Sequence, residues 1–184
     1  VSVSTALRHA RRRRGLRLRD VGREIYLSPK TVSAIETGRR RLPHDLAPRL
    51  ARALEDPELV AALAAEVTGG MAAPWLNGER VDLHRASVRI KAIEELSEAI
   101  EALAKCEPIV NCRCADDLDE PGRRLVAEAV HHSVEAETAA RTVVGVLCQT
   151  YGLSLAQVYR EHILELQAKG YVRREATRDA RKAS

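Results

Sequence analysis

The feature that most constrains this chain is the interval at which its aliphatic residues recur. They fall at Leu83, Ala86, Ile90, Ile93, Leu96, Ile100 and Leu103, steps of three and four that return to one face of an α-helix on each turn. A second stripe, Val126, Val130, Ala136, Ala140, Val143 and Leu147, predicts another long helix over 122–151. Between them, 107–121 is expected to break the first helix. Phe is absent and aromatic residues make up 3% of the chain, so Leu, Val, Ile and Ala must build the core, a composition that suits packed helices. The expected fold is all-α.

The first 54 residues predict four shorter helices. One covers 4–14, with Leu7 and Ala10 inward, and stops at Gly15, a residue that accepts the left-handed conformation of a helix end. A second covers 17–25 and buries Leu18, Val21 and Ile25. Ser28 is then a good N-cap and Pro29 stands at the first helical position, where its missing N–H costs nothing. The third helix runs to Thr37 before Gly38, and a fourth spans 45–54 beyond the basic loop Arg39-Arg40-Arg41-Leu42-Pro43. A further short helix over 58–67 leads into 69–82, where Gly, Pro and Asn interrupt periodicity and predict a linker. Trp75, the one tryptophan, is expected to anchor that linker to a domain surface. The division is thus 1–68, 69–82 and 83–184, with a last helix over 154–169 and a fraying basic end beyond Val172.

Charge divides along the same line. Residues 1–54 carry fourteen Lys and Arg against four Asp and Glu, and residues 55–184 carry sixteen against twenty-two. Only the first part is built to meet a polyanion. The chain holds no apolar run of membrane-spanning length and starts polar and basic, so the cytoplasm is expected, with no membrane partner and with Cys106, Cys112, Cys114 and Cys148 as reduced thiols.

The string Gly15-Leu16, Val21, Ile25, Ser28-Pro29-Lys30-Thr31-Val32-Ser33-Ala34-Ile35-Glu36, Gly38 and Pro43 resembles the Cro/C1-type, or XRE, family of helix-turn-helix DNA-binding domains over residues 5–54. The resemblance implies a lambda-repressor-like domain of four to five helices, followed here by a helical hairpin or bundle. It also implies a transcription regulator, a repressor, that binds double-stranded DNA as a homodimer. Helix three would enter the major groove, where base edges differ in their donor and acceptor pattern. By similarity, Pro29, Lys30, Ser33 and Ala34 face bases, with Lys30 the first choice for a guanine. Ser28, Thr31, Arg17, Arg19, Arg39, Arg40 and Arg41 would meet the DNA backbone. Many relatives carry Gln where this chain has Leu18, and Arg17, Arg19 and the run Arg11 to Arg14 are expected to supply the missing phosphate contact, since that contact needs charge more than position. Glu36 is implied to pair with Arg11 between helices one and three.

The remaining residues bear two other readings. Cys106, Cys112 and Cys114 with His131 and His132 suggest a metal or thiol sensor, yet their spacing matches no structural zinc pattern; neither a metal nor another cofactor is expected. Glu94-Glu95-Leu96-Ser97-Glu98, with Tyr151-Gly152-Leu153-Ser154 and Lys169-Gly170-Tyr171, is similar to the EExxE motif and closing helix of MazG-like nucleotide pyrophosphohydrolases. That likeness implies a DNA-tethered or degenerate hydrolase, or a nucleotide sensor. The second motif, ExxD, is missing, because Thr138 follows Glu135 and Ala140 follows Glu137 at the required step. The expectation is therefore a protein without catalytic residues whose helical half dimerises or senses a small-molecule effector.

Overall fold

The computed structural model describes residues 2–111, 116 and 118–173. Every regular element among them is helical. Helix α1 (Val3–Arg13) is capped by Ser2, whose hydroxyl accepts the Thr5 N–H. Helix α2 (Leu18–Ile25) follows, its first turn held where the Asp20 carboxylate accepts the Arg17 N–H at 2.8 Å. Helix α3 (Pro29–Glu36) opens on the Ser28 cap, with proline in its first turn. The predicted helix over 45–54 is divided into a 3₁₀ turn (His44–Leu46) and α4 (Ala47–Leu54). Pro48, in the first turn of α4, has no N–H to continue an α-helical ladder back through 44–46. Helix α5 (Pro57–Thr68) is capped by Asp56.

These five helices enclose one core. Leu7, Val21, Ile25, Val32, Ile35, Leu50, Leu54 and Leu59 are buried together within it. Because α5 contributes Leu59, Ala62 and Leu63, it belongs to this bundle.

The second half is dominated by α6 (Arg85–Val110) and α7 (Glu120–Tyr151), packed as a hairpin, with α8 (Leu155–Ala168) following. One expectation about it needs correction. Helix α6 runs through Glu107 and Pro108 to Val110 instead of breaking at 107; a proline within the last turn removes one ladder bond just before the helix would end anyway. The stripe of large aliphatics does not face α7. The hairpin seals through small residues, including Ala92, Ala99, Ala102 and Cys106 of α6 and Ala129, Ala136 and Ala139 of α7, while Ile90, Ile93, Leu96, Ile100 and Leu103 lie exposed. Small side chains let two helix axes approach closely, and large ones are then left outside.

Residues 69–84 form no helix, yet Ala73 is buried and Trp75 half-buried. Trp75 and Pro57 converge on Gly145. A Cβ there would lie 2.7 Å from Trp75 Cζ3 and 2.6 Å from Pro57 Cβ, so only glycine admits this approach. The expected fraying of the basic end concerns mainly 174–184, and the cysteine reading concerns Cys112 and Cys114; both lie outside the described residues.

Candidate nucleic-acid interface

The turn between α2 and α3 is set by two residues, Gly22 and Tyr26. Gly22 lies inside α2, and a Cβ on it would sit 2.4 Å from the Leu27 carbonyl oxygen. The chain can fold back onto α2 only because that side chain is missing. Tyr26 takes the left-handed conformation, with φ of 57°, and its ring is exposed. The Arg49 guanidinium lies 3.7 Å above that ring and also donates to the Glu24 carbonyl. A glycine inside a helical pattern was the available signal for a close approach; nothing local in the sequence marked Arg49.

Helix α3 is divided by this packing. Val32, Ile35 and Glu36 are buried, Pro29 and Lys30 are exposed, and Ser33 and Ala34 are half-exposed on the outward side. The four residues assigned to bases therefore share one accessible face. Ser28 and Thr31 are occupied at the helix start: Ser28 Oγ accepts the Thr31 N–H at 3.1 Å and lies 2.9 Å from Thr31 Oγ1. Beyond α3, Gly38 turns with φ of 72°, and the Arg40 N–H donates to the Ala34 carbonyl at 3.1 Å. The exposed loop Arg39 to Arg41 is thereby held against the end of α3, with Arg39 Nε donating to Thr37 Oγ1 at 3.1 Å.

At the other edge of the turn, Arg17 and Arg19 are exposed, Arg19 standing 3.7 Å from Asp20. The run Arg11 to Arg14 is placed differently from the expectation. Arg11 forks onto Glu36 at 2.6 and 2.9 Å and donates to the Leu16 carbonyl at 3.0 Å. Arg13 grips Asp56 at 2.8 and 2.9 Å and Glu58 at 2.7 Å. Arg14 donates to the Ala53 and Leu54 carbonyls, and Arg8 to that of Glu36. Within the run, Arg11, Arg13 and Arg14 tie helices together. The fork with Glu36, against the cost of burial, raises the pKa of Arg11 above its ordinary value, so the guanidinium stays charged.

In the second half, Lys91 reaches Glu95 at 2.8 Å and Glu94 at 3.2 Å, and Glu98 lies 3.7 Å from His132. Two carboxylates of the EExxE-like string are thus paired with a lysine of their own helix. Among the described residues no group of three or more His, Cys, Asp or Glu is gathered so as to hold a metal ion, and no helix is long and apolar enough to cross a membrane.

A short helix held out from an aliphatic bundle by a tight turn, with arginines on both sides, is the arrangement of a helix-turn-helix domain. Comparison with known families agrees: residues 3–63 match a family described as a helix-turn-helix domain. No curated protein and no solved structure matches the chain.

Proposed function

We propose that this protein is a sequence-specific, XRE-type transcription regulator that works as a dimer and represses by occupying DNA. The observation that carries the reading is the outward face of α3, where Pro29, Lys30, Ser33 and Ala34 lie together above the fixed loop Arg39 to Arg41. Lys30 reads a base edge, and Ala34 offers a methyl-sized apolar contact to thymine. Arg17, Arg19, Arg39, Arg40 and Arg41 meet phosphates on either side. One such helix touches too few bases for useful discrimination, so two copies act on half-sites about 34 Å apart. The aliphatic residues left exposed on α6 supply an adhesive surface for pairing. A small-molecule effector of such a regulator would find an apolar recess of about 300 Å³ between Leu76, Val81, Val88, Ala139 and Thr142. The protein is not an enzyme in this reading, since the second, ExxD carboxylate motif that would complete a cation site is missing.

Selection of bound sequences from a random duplex library by the full chain tests it. A recovered two-fold-symmetric motif, bound with an affinity that falls steeply as salt rises, is the expected result. Failure to bind any duplex at low ionic strength, or Mg²⁺-dependent release of pyrophosphate from a nucleotide panel, overturns it.

A further inference from the structure

Helix α6 carries two seams. Val88, Ala92, Glu95, Ala99, Ala102 and Cys106 recur at steps of four and three on the side that is buried or half-buried, toward α7. On the opposite side Ala86, Ile90, Ile93, Ser97, Ile100 and Ala104 recur at the same steps, and all six are exposed, Ile90 to 59% and Ile100 to 66%. An unbroken alternation of three and four is the spacing by which one helix meets a second along its length. Here the stronger seam, the one with three isoleucines, has no neighbour among the described residues. Helix α8 of the same chain is fastened elsewhere: Ser154 Oγ and the Ala156 N–H donate to Glu55 at 2.8 and 3.3 Å, and Leu155 and Tyr159 face Ala51 and Val60.

The charges beside the open seam indicate both the occupant and its direction. Arg89 directly precedes Ile90 and Glu94 directly follows Ile93, which are the two positions that flank a seam on opposite edges. When two copies run parallel, each edge residue meets the opposite edge of its partner five positions on. Arg89 of one copy then faces Glu94 of the other, twice by symmetry. When they run antiparallel with Ile90 layered on Ile100, like edges meet and Glu94 faces Glu94 across the axis. We propose that α6 pairs in parallel with α6 of a second copy, making a four-helix core of two hairpins. This deepens the dimeric reading of the protein and rests on it. Trp75 and Pro57 fix the DNA-reading bundle at Gly145 of α7, and Val88 of α6 shares a recess with Ala139 and Thr142 of α7. The bundle therefore sits toward the start of α6, and parallel pairing brings both reading helices to one end of the core.

The test measures association of the full chain by sedimentation equilibrium, with circular dichroism confirming unchanged helix content, since every altered side chain is exposed. Wild type is expected to be dimeric, and the double variant Ile93→Glu/Ile100→Glu to dissociate at least about a hundredfold more readily. Arg89→Glu is expected to weaken the dimer by about tenfold, and Arg89→Glu/Glu94→Arg to restore it to within about threefold. A dimer sensitive to the isoleucine changes but indifferent to Arg89→Glu overturns the parallel arrangement alone. Association unaffected by any of these variants, with α8 or another surface covering the seam, overturns the inference entirely. A wild-type monomer overturns the inference and the dimeric reading together, while a dimer that selects no duplex leaves the pairing standing and removes the DNA reading.

Discussion

Arg11 and Glu36 are joined side-on, both carboxylate oxygens accepting from one guanidinium at 2.6 and 2.9 Å, so that α3 is bolted to α1 directly behind its exposed face. Such a pair adds little compared with apolar packing, but removing one partner strands a buried charge at a cost of about 3–5 kcal/mol. Glu36 is buried in this way. Arg11→Ala is therefore expected to unfold the first bundle rather than merely to lower affinity. Chemical denaturation followed by circular dichroism measures this, and a variant with native stability and weak binding would contradict it.

Gly22 makes a sharper claim about the turn. With the Leu27 carbonyl only 2.4 Å from an added Cβ, Gly22→Ala cannot be absorbed by a side-chain rotation. The expected loss is about 1–3 kcal/mol, together with reduced DNA affinity, because the turn sets the angle of α3. An alanine variant as stable as wild type would show that the backbone relaxes freely.

Lys30 and Arg40 are expected to fail differently. Lys30→Ala should relax preference at one base position by about 1–3 kcal/mol. Arg40→Ala should weaken all sequences alike and reduce the slope of log affinity against log salt by about one. Titrations against the selected site and single-base variants at several salt concentrations separate the two. Identical behaviour would remove the distinction between reading and gripping.

Gly145 and Trp75 provide an optical test of the joint. Gly145→Ala must displace Trp75, whose ring edge is 2.7 Å from the new atom, so emission from this single tryptophan should shift to the red as water reaches it. Pro57, whose Cβ would lie 2.6 Å from the new atom, must shift as well, so a lower stability of the first bundle is expected beside the spectral change. Unchanged emission would mean that the ring does not rest on α7 in solution.

Cys148 predicts a limb of the pH profile. Burial, with Glu55 adding to it, raises its thiol pKa above the ordinary value of 9.0. The folded chain then holds this proton more tightly than the unfolded one. The associated stability is complete below the unfolded pKa and disappears as pH climbs past it and through the folded value. Cys148→Ala should flatten that decline in denaturation curves above about pH 9, and the wild-type thiol should alkylate slowly at neutral pH.

Much of this was legible in the chain because the signals were local. Ser28 followed by Pro29 located α3, and Gly15 and Gly38 marked helix ends, since caps and left-handed turns depend on a few neighbouring residues. The Arg11–Glu36 pair was legible only through family resemblance, as its partners lie twenty-five positions apart. Three things were hidden for physical reasons. The arginine run looked uniform, but Arg13 and Arg14 face α5 and the end of α4, and only tertiary placement separates a structural arginine from a phosphate-binding one. Along α6 the strongest hydrophobic stripe pointed away from α7, because close helix contact selects small side chains over greasy ones. Arg49, stacked on Tyr26, shares no local pattern with the turn it supports.

Asp56 sits where three helices meet: it caps α5 through the Leu59 N–H, holds Arg13 of α1 and accepts from Gln149 of α7 at 3.3 Å. A string-like connector would let the reading head sample many distances from the hairpin, whereas this clasp gives it a set pose. In an assembly of two copies, the reach between heads then behaves as a ruler's length. Adding or removing a single base pair at the centre of a recognised site should therefore be penalised steeply, with no flexible slack to absorb the change.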